Sequence, residues 1–253
     1  MSKVHFDFTG ERFVVTGASS GMGRQIATEL AESGATVLVI ARRAERLQEL
    51  EKKHPGQITA GVFDVRDYEK MSKAVDSFVA EHGKFHGVVH AAGVFPATPL
   101  RTYDEKMARE AMDISFWSGI RLVQIVNKKK NSEPRCSNIL FSSIAADIGN
   151  KANFAYSGAK AAVRVAIRSI GKEIYQTGKR INTVSPGWVD TEMSLNSMED
   201  GTTSANALKP LLLGRGKPED VSGMVLFLLS DRARWITGSD FVMDGGYRLG
   251  GYN

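Results

Sequence analysis

Seven short runs rich in Val and Ile carry no polar alternation: 12–16, 37–40, 58–63, 87–90, 138–141, 181–184 and 240–243. A strand with one wet face alternates apolar and polar residues, whereas a strand buried on both faces does not. Between the runs lie longer stretches with helical periodicity, one opening near Gly21 with Ile26, Ala27 and Leu30, others at 67–82, 104–128, 153–177 and 218–229. Strand and helix in alternation specify a parallel sheet joined by right-handed crossovers. The fold expected is α/β, a doubly wound Rossmann-type sheet of about seven strands flanked by helices. No Pro/Gly/Ser linker or internal repeat interrupts 1–253, so a single domain is expected. The least patterned stretch, 192–213, is long enough to be a functional loop and is assigned to substrate.

Composition narrows the function classes. Apolar residues make up 42% and charged residues 24% of 253, an ordinary globular mixture able to bury one large core. The formal charge of +5 is a weak field on such a surface. Its densest basic run, Lys128-Lys129-Lys130, is followed by Asn131, Ser132, Glu133 and Pro134 and reads as a solvated loop. No aromatic-and-basic stripe accompanies it, so neither nucleic acid nor membrane is an expected partner. The opening ten residues contain no apolar h-region, and no stretch reaches the ~18 apolar residues of a membrane span. A lone Cys136 cannot close an internal disulfide and reads as a buried structural thiol. These features suit a soluble, reducing, cytoplasmic setting. No metal site is expected.

The first strand runs into Gly17-Ala18-Ser19-Ser20-Gly21-Met22-Gly23, after which a helix begins. Glycines in a strand–turn–helix unit let backbone amides approach a pyrophosphate, and the helix N-terminus supplies positive dipole. At the end of the second strand an acidic residue would hold the ribose 2′-hydroxyl of NAD(H). Here Ala41 is followed by Arg42 and Arg43. A guanidinium binds phosphate through a planar fork, so NADP(H) is favoured over NAD(H). Arg43 is expected to face solvent more than Arg42.

Tyr156-Ser157-Gly158-Ala159-Lys160 puts a phenol and an ammonium on one helical face. Moving a phenol from its ordinary pKa of ~10 to near 7 needs ~4 kcal/mol. One ammonium ~4 Å away supplies about that much at an effective dielectric of ~20. A second Tyr-x-x-x-Lys, Tyr175 to Lys179, runs into Gly178 and a basic tripeptide, so Lys179 reads as a partner for a helix C-terminus. Ser142-Ser143 closes the fifth strand, at the sheet edge where open α/β sheets bind ligands. A Ser pair there serves either as a cap or turn, or as a hydrogen-bond donor to a substrate oxygen while Tyr156 passes the proton.

Taken together, Thr16 to Gly23, Ser143, Tyr156 and Lys160 resemble the classical short-chain dehydrogenase/reductase family, whose serine also lies thirteen positions before its tyrosine. Asp64-Val65 is similar to its adenine-contacting acidic pair. His90-Ala91-Ala92-Gly93 is similar to its Asn-Asn-Ala-Gly segment. Pro186-Gly187-Trp188-Val189-Asp190-Thr191 is similar to its Pro-Gly turn beside the nicotinamide. The resemblance implies that Tyr156 protonates a carbonyl oxygen, Ser143 orients it, and Lys160 binds the ribose and lowers the Tyr156 pKa. It places Asp64, Val65, Ala91, Ala92, Gly93, Pro186, Gly187, Val189 and Thr191 on the cofactor, Thr191 at the carboxamide. Ser115 stands where the family has an Asn that holds a relay water, and His90-Ala91 replaces Asn-Asn.

The implied function is reduction of a carbonyl to a secondary alcohol with NADPH. The segments after Pro186 and Arg215 look most like 3-oxoacyl-carrier-protein reductases of fatty acid biosynthesis. The implied partners are a small-molecule carbonyl or alcohol substrate, an acidic acyl carrier protein met by Lys209 and Arg215, and three further copies in a homotetramer. Sugar, polyol or steroid dehydrogenases of the same family are the alternative. From another class, a cofactor-binding regulatory homologue weakened by Ser115 competes with both.

Overall fold

The computed structural model describes residues 4–199 and 211–250. Seven strands, β1 (Arg12–Thr16), β2 (Thr36–Ala41), β3 (Ile58–Val62), β4 (Phe85–His90), β5 (Ser132–Phe141), β6 (Arg180–Pro186) and β7 (Asp240–Met243), form one sheet in the order β3-β2-β1-β4-β5-β6-β7. Every neighbouring pair is parallel. The chain reverses direction across the sheet between β1 and β4, which makes their C-terminal ends the switch-point crevice.

The missing alternation has a direct cause. On β1, Phe13 and Val15 join one apolar cluster with Ile26, Leu30 and Val225, whereas Val14 joins another with Met71, Val75 and Leu122. On β2, Val37 and Val39 face the first cluster and Leu38 and Ile40 the second. Helices α1 (Gly21–Glu32) and α9 (Pro218–Leu229) cover the first face; α3 (Tyr68–His82) and α5 (Ser118–Val126) cover the second. Side chains such as Leu30 and Ile40 are wholly buried, each worth about 1.5–3 kcal/mol of transfer free energy. Helix α2 (Ala44–Lys53) buries only Leu47 and Leu50, and α7 (Phe154–Ile174) buries Ala155, Ala159, Lys160, Val163 and Ile167.

Local chemistry sets the ends. Asp67 caps α3, accepting from the Lys70 amide at 3.0 Å, and Pro218 occupies the first turn of α9. Helix α7 stops through a 3-10 turn, Tyr175–Thr177, at Gly178, which sits at φ +73°.

Two elements depart from expectation. Strand β5 starts at Ser132, inside the stretch read as loop: Phe85 pairs with Ser132, then the register shifts before Gly87 pairs with Ser137. The irregular pairing lets Pro134 sit within a strand without breaking a regular ladder. The helix expected at 104–128 is divided into α4 (Glu105–Met112), a π-helical turn Asp113–Trp117, and α5. Cys136 is buried and its thiol is pushed up to about 12 by desolvation. No described helix is long and apolar enough to cross a membrane.

Candidate active site

The Gly-rich turn lies at the carboxyl ends of β1 and β4. Gly17 takes φ +71°, and a Cβ there would lie 2.8 Å from the Ala91 carbonyl carbon and the Ala92 nitrogen. A Cβ on Gly23 would meet the Gly17 oxygen at 2.5 Å. Only glycine fits at either position, so the backbone can fold tightly round whatever occupies the turn. Ser20, the N-cap of α1, makes no side-chain capping bond, and the first turn of α1 has no acidic residue. These free N–H groups and the helix dipole suit an anion.

Around the turn runs a cleft of about 460 Å³. Gly17, Ser19, Ser20, Gly21, Met22 and Gly23 form one wall, Ala91, Ala92 and Gly93 another, and Arg42, Arg43, Asp64 and Val65 the far end. Thr191 lines the cleft, whereas Gly187 and Val189 line the neighbouring cavity; Pro186 ends β6 and lines neither. The residues present thus fit a dinucleotide.

The two arginines exchange the roles expected of them. The Arg42 side chain is 66% exposed and reaches Asp64 only at 4.0 Å. Arg43 turns into the cleft: Nε and Nη2 donate to Ser19 Oγ at 3.1 and 3.0 Å, and Nη2 donates to Ser20 Oγ at 2.6 Å. Its Nη1 donates to both carboxylate oxygens of Glu192, at 2.9 and 2.7 Å. Adjacent residues after a strand point to opposite sides, and sequence carries no sign of which faces inward. Asp64 accepts from Arg66 Nε and Nη2 at 2.9 and 2.8 Å, and that bond holds its carboxyl below the usual range.

Ser143, Tyr156 and Lys160 come together where β5 ends and α7 begins. Ser143 Oγ accepts from the Ala145 amide at 3.1 Å, which leaves its own hydrogen to donate. It hydrogen-bonds Tyr156 and so pulls that phenol's pKa down, but burial pushes the phenol up more strongly. Lys160 is 5% exposed; its Nζ donates to the Phe141 carbonyl at 2.8 Å and lies 5.7 Å from the centre of the Tyr156 ring. Desolvation brings its pKa down to about 8. The spacing argument had Lys160 drawing Tyr156 toward neutrality. In the folded protein burial dominates and raises the phenol's pKa, with the Ser143 hydrogen bond as the opposing pull. Tyr156 is therefore a protonated phenol at pH 7.

His90 explains the π-helical turn. Its Nδ1 lies 2.9 Å from Thr16 Oγ1 and its Nε2 3.0 Å from the Ile114 carbonyl. A carbonyl only accepts, so Nε2 carries the hydrogen and Nδ1 accepts from Thr16. Ser118 Oγ also donates to Ile114 O, at 2.7 Å. With that carbonyl taken, the Ser118 amide bonds back to Asp113 O, five residues earlier, which is the π turn. His90 is fully buried and neutral, its pKa pushed down to about 4 by desolvation. A Cβ on Gly119 would lie 2.7 Å from His90 Cδ2, so Gly119 makes room for the ring.

The same turn places Ser115. Its hydroxyl is buried and has no hydrogen-bond partner among the described residues. A Cβ on Gly93 would lie 3.6 Å from Lys160 Nζ and 3.7 Å from Ser115 Oγ, so both face the space beside Gly93.

Ser143 and Tyr156 line a second cavity of about 440 Å³, walled by Phe95, Ile144, Ile148, Trp188, Val189 and Met193 and reached by Tyr247. The Phe95 ring meets Tyr156 edge-on, 4.8 Å between centroids. Met22, Phe95, Thr191 and Met193 line both cavities. Phe95, Trp188 and Tyr247 were not singled out from sequence; position after a strand end was the available signal for Phe95 and Trp188, and none marked Tyr247. Part of the stretch expected to be a substrate loop is helix α8 (Glu192–Glu199); 200–210, with Lys209, lies outside the described residues. Arg215 pairs with Asp190 at 3.4 Å. The second Tyr-x-x-x-Lys is elsewhere: Tyr175 is exposed, and Lys179 Nζ donates to the Asn127 carbonyl at 2.6 Å, capping the end of α5. Among the described residues no group of three or more His, Cys, Asp or Glu is placed to hold a metal ion.

Comparison with known proteins bears on this geometry. The profile of the family described as enoyl-(acyl carrier protein) reductase matches residues 17–248. The 3-oxoacyl-[acyl-carrier-protein] reductase FabG of Thermotoga maritima is 29% identical over 241 residues, covering 94% of this chain and 97% of that one. D-erythrulose reductase of Gallus gallus is 30% identical over 242 residues, covering 95% and 96%. The crystal structure of a short-chain dehydrogenase/reductase from Brucella melitensis superposes with a TM-score of 0.90 at 25% identity, covering 96% of this chain and 99% of that one. With the sheet order, the glycine cradle and the Ser143–Tyr156–Lys160 cluster already in place, these matches make the chain a member of the short-chain dehydrogenase/reductase family, a class of oxidoreductase enzymes.

Proposed function

We propose that the protein reduces a ketone to a secondary alcohol with NADPH. The observation that carries this reading is that Ser143 and Tyr156 line a small-molecule cavity that shares Met22, Phe95, Thr191 and Met193 with the cleft suited to a dinucleotide. The cofactor supplies hydride when bound. Gly17 to Gly23 and the N-terminus of α1 would hold its pyrophosphate, Asp64 and Val65 the adenine, and Arg42 and Arg43 the 2′-phosphate. Ala91, Ala92, Gly93, Pro186, Gly187, Val189 and Thr191 would form the nicotinamide end.

Ser143, with one lone pair occupied by the Ala145 amide, donates its hydrogen to the ketone oxygen. Tyr156, held protonated by burial, then breaks its own O–H bond as the alcohol O–H forms. Burial keeps the phenol in its neutral, proton-bearing form. Lys160, with a pKa near 8, is the adjacent proton store. Ser115 and the space beside Gly93 complete the route by which the phenolate regains a proton. Ser143, Tyr156, Lys160 and Ser115 are the catalytic set.

For the substrate we favour a 3-oxoacyl thioester. The apolar walls of the cavity support it, as do the match to the enoyl-(acyl carrier protein) reductase profile and the likeness to FabG. A small sugar ketone is the second reading, favoured by the likeness to D-erythrulose reductase and to L-xylulose reductase of Caenorhabditis elegans, 28% identical. The whole chain acts as one domain, with 192–213 as substrate loop. Exposed Trp117, Phe154, Val165 and Tyr175, on the π turn, on α7 and just after it, support a homotetramer built through those helices. An acyl carrier protein is the proposed partner, and a lone buried thiol suits a reducing cytoplasm. Saturable consumption of NADPH with an acetoacetyl thioester is expected. Turnover confined to sugars or steroids would remove the thioester reading, and no turnover with any carbonyl would leave a cofactor-binding regulatory protein.

A further inference from the structure

Arg43 is engaged along its whole guanidinium: Nε and Nη2 donate to Ser19 and Ser20, and Nη1 donates to both carboxylate oxygens of Glu192. Three parts of the chain meet there, namely the end of β2, the Gly-rich turn and the first residue of α8. Helix α8 also sends Met193, Ser194 and Ser197 into the substrate cavity and Asn196 into the cofactor cleft. The Arg43–Glu192 bridge therefore straps the 2′ end of the cleft to the helix that walls the substrate.

Glu192 is the anion already seated on the guanidinium. A carboxylate and a phosphate seek the same planar fork, and like charges beside one cation repel. A coenzyme bearing a 2′-phosphate must either share Arg43 with Glu192 or displace it, whereas one with a free 2′-hydroxyl leaves the strap intact. The Glu192 side chain is 46% exposed, so it can move into water without losing its charge to desolvation. On the reading that Arg42 and Arg43 receive this phosphate, we propose that Glu192 is a coenzyme-specificity residue. It competes with the 2′-phosphate for Arg43 and lowers affinity for the phosphorylated coenzyme alone.

The test is equilibrium binding of NADPH and NADH, read by coenzyme fluorescence, to wild type, Glu192→Gln, Arg43→Ala and the double variant. Exposed ion pairs contribute modestly, so Glu192→Gln is expected to tighten NADPH about three- to fivefold. NADH should stay within about twofold. In the Arg43→Ala background the same substitution should have no effect, since the cation competed for is gone. An unchanged or weakened NADPH affinity in Glu192→Gln, or an equal gain for both coenzymes, overturns the competition. A wild type that prefers NADH, yet gains NADPH affinity in Glu192→Gln, supports the competition while removing the NADPH preference. Absence of binding by either coenzyme in all four proteins overturns both. Equal thermal transitions across the set show that the variants are folded.

Discussion

Acidification should loosen this fold through one buried ring. His90 is neutral in the folded protein, with a pKa pushed down from 6.5 to about 4, because burial desolvates it and Lys160 adds positive charge nearby, which together outweigh the upward pull of its bond to the Ile114 carbonyl. The unfolded chain takes up a proton near pH 6.5, the folded one only near pH 4. Stability from this site is full above pH 6.5, falls as pH drops toward 4, and is then lost. The whole interval corresponds to about 3 kcal/mol, of which about 2 kcal/mol is lost between pH 7 and pH 5. For a chain of this length that is a fall of about 4–8 °C in Tm. His54 and His86 are also pushed down by burial, so the wild-type slope alone does not isolate His90. The assay is thermal unfolding at both pH values and fixed protein concentration, for wild type and His90→Asn. The variant should start less stable at pH 7 yet lose about 2 kcal/mol less on acidification. Equal losses in the two proteins would refute a neutral, load-sharing His90.

Three further outcomes follow from the same geometry. Gly119→Ala should cost about 1–3 kcal/mol in urea unfolding, since its Cβ would fall 2.7 Å from the His90 ring; an unchanged midpoint would mean the ring can move aside. Arg42→Ala should weaken NADPH about tenfold or more while leaving NADH within about twofold, measured by fluorescence titration; equal loss of both would remove its phosphate role. Ser115→Ala should lower kcat about tenfold with KM little changed, less than the 10²–10⁴ of a direct proton donor. Ser115→Asn should retain activity, and an unaffected kcat and pH profile in Ser115→Ala would exclude Ser115 from the proton route.

Much of the fold was legible because the signal is local. Strands buried on both faces show as unbroken apolar runs, and α9 begins at its proline where the pattern placed it. What escaped depends on contacts distant in sequence. The π turn arises because His90, twenty-four residues before Ile114, takes a carbonyl from the helix ladder, and a hydrophobic period cannot report that. Strand β5 reaches back to Ser132 because Phe85 pairs there, although Pro134 reads as loop. In the site, Ser143, Tyr156 and Lys160 could be selected by spacing, and Lys179 dismissed by its neighbouring glycine. The inward turn of Arg43 could not be read, since its partner Glu192 lies 149 residues away. Nor could the upward shift of Tyr156, because residue spacing does not report the burial that causes it.

The central claim is that Tyr156 delivers the proton to a substrate oxygen. Its most direct test is the rate of NADPH oxidation with a reducible ketone in wild type and Tyr156→Phe, with coenzyme affinity measured in parallel. Loss of one hydroxyl should lower kcat by about 10²–10⁴ with NADPH binding nearly unchanged. Equal rates in the two proteins would contradict the account.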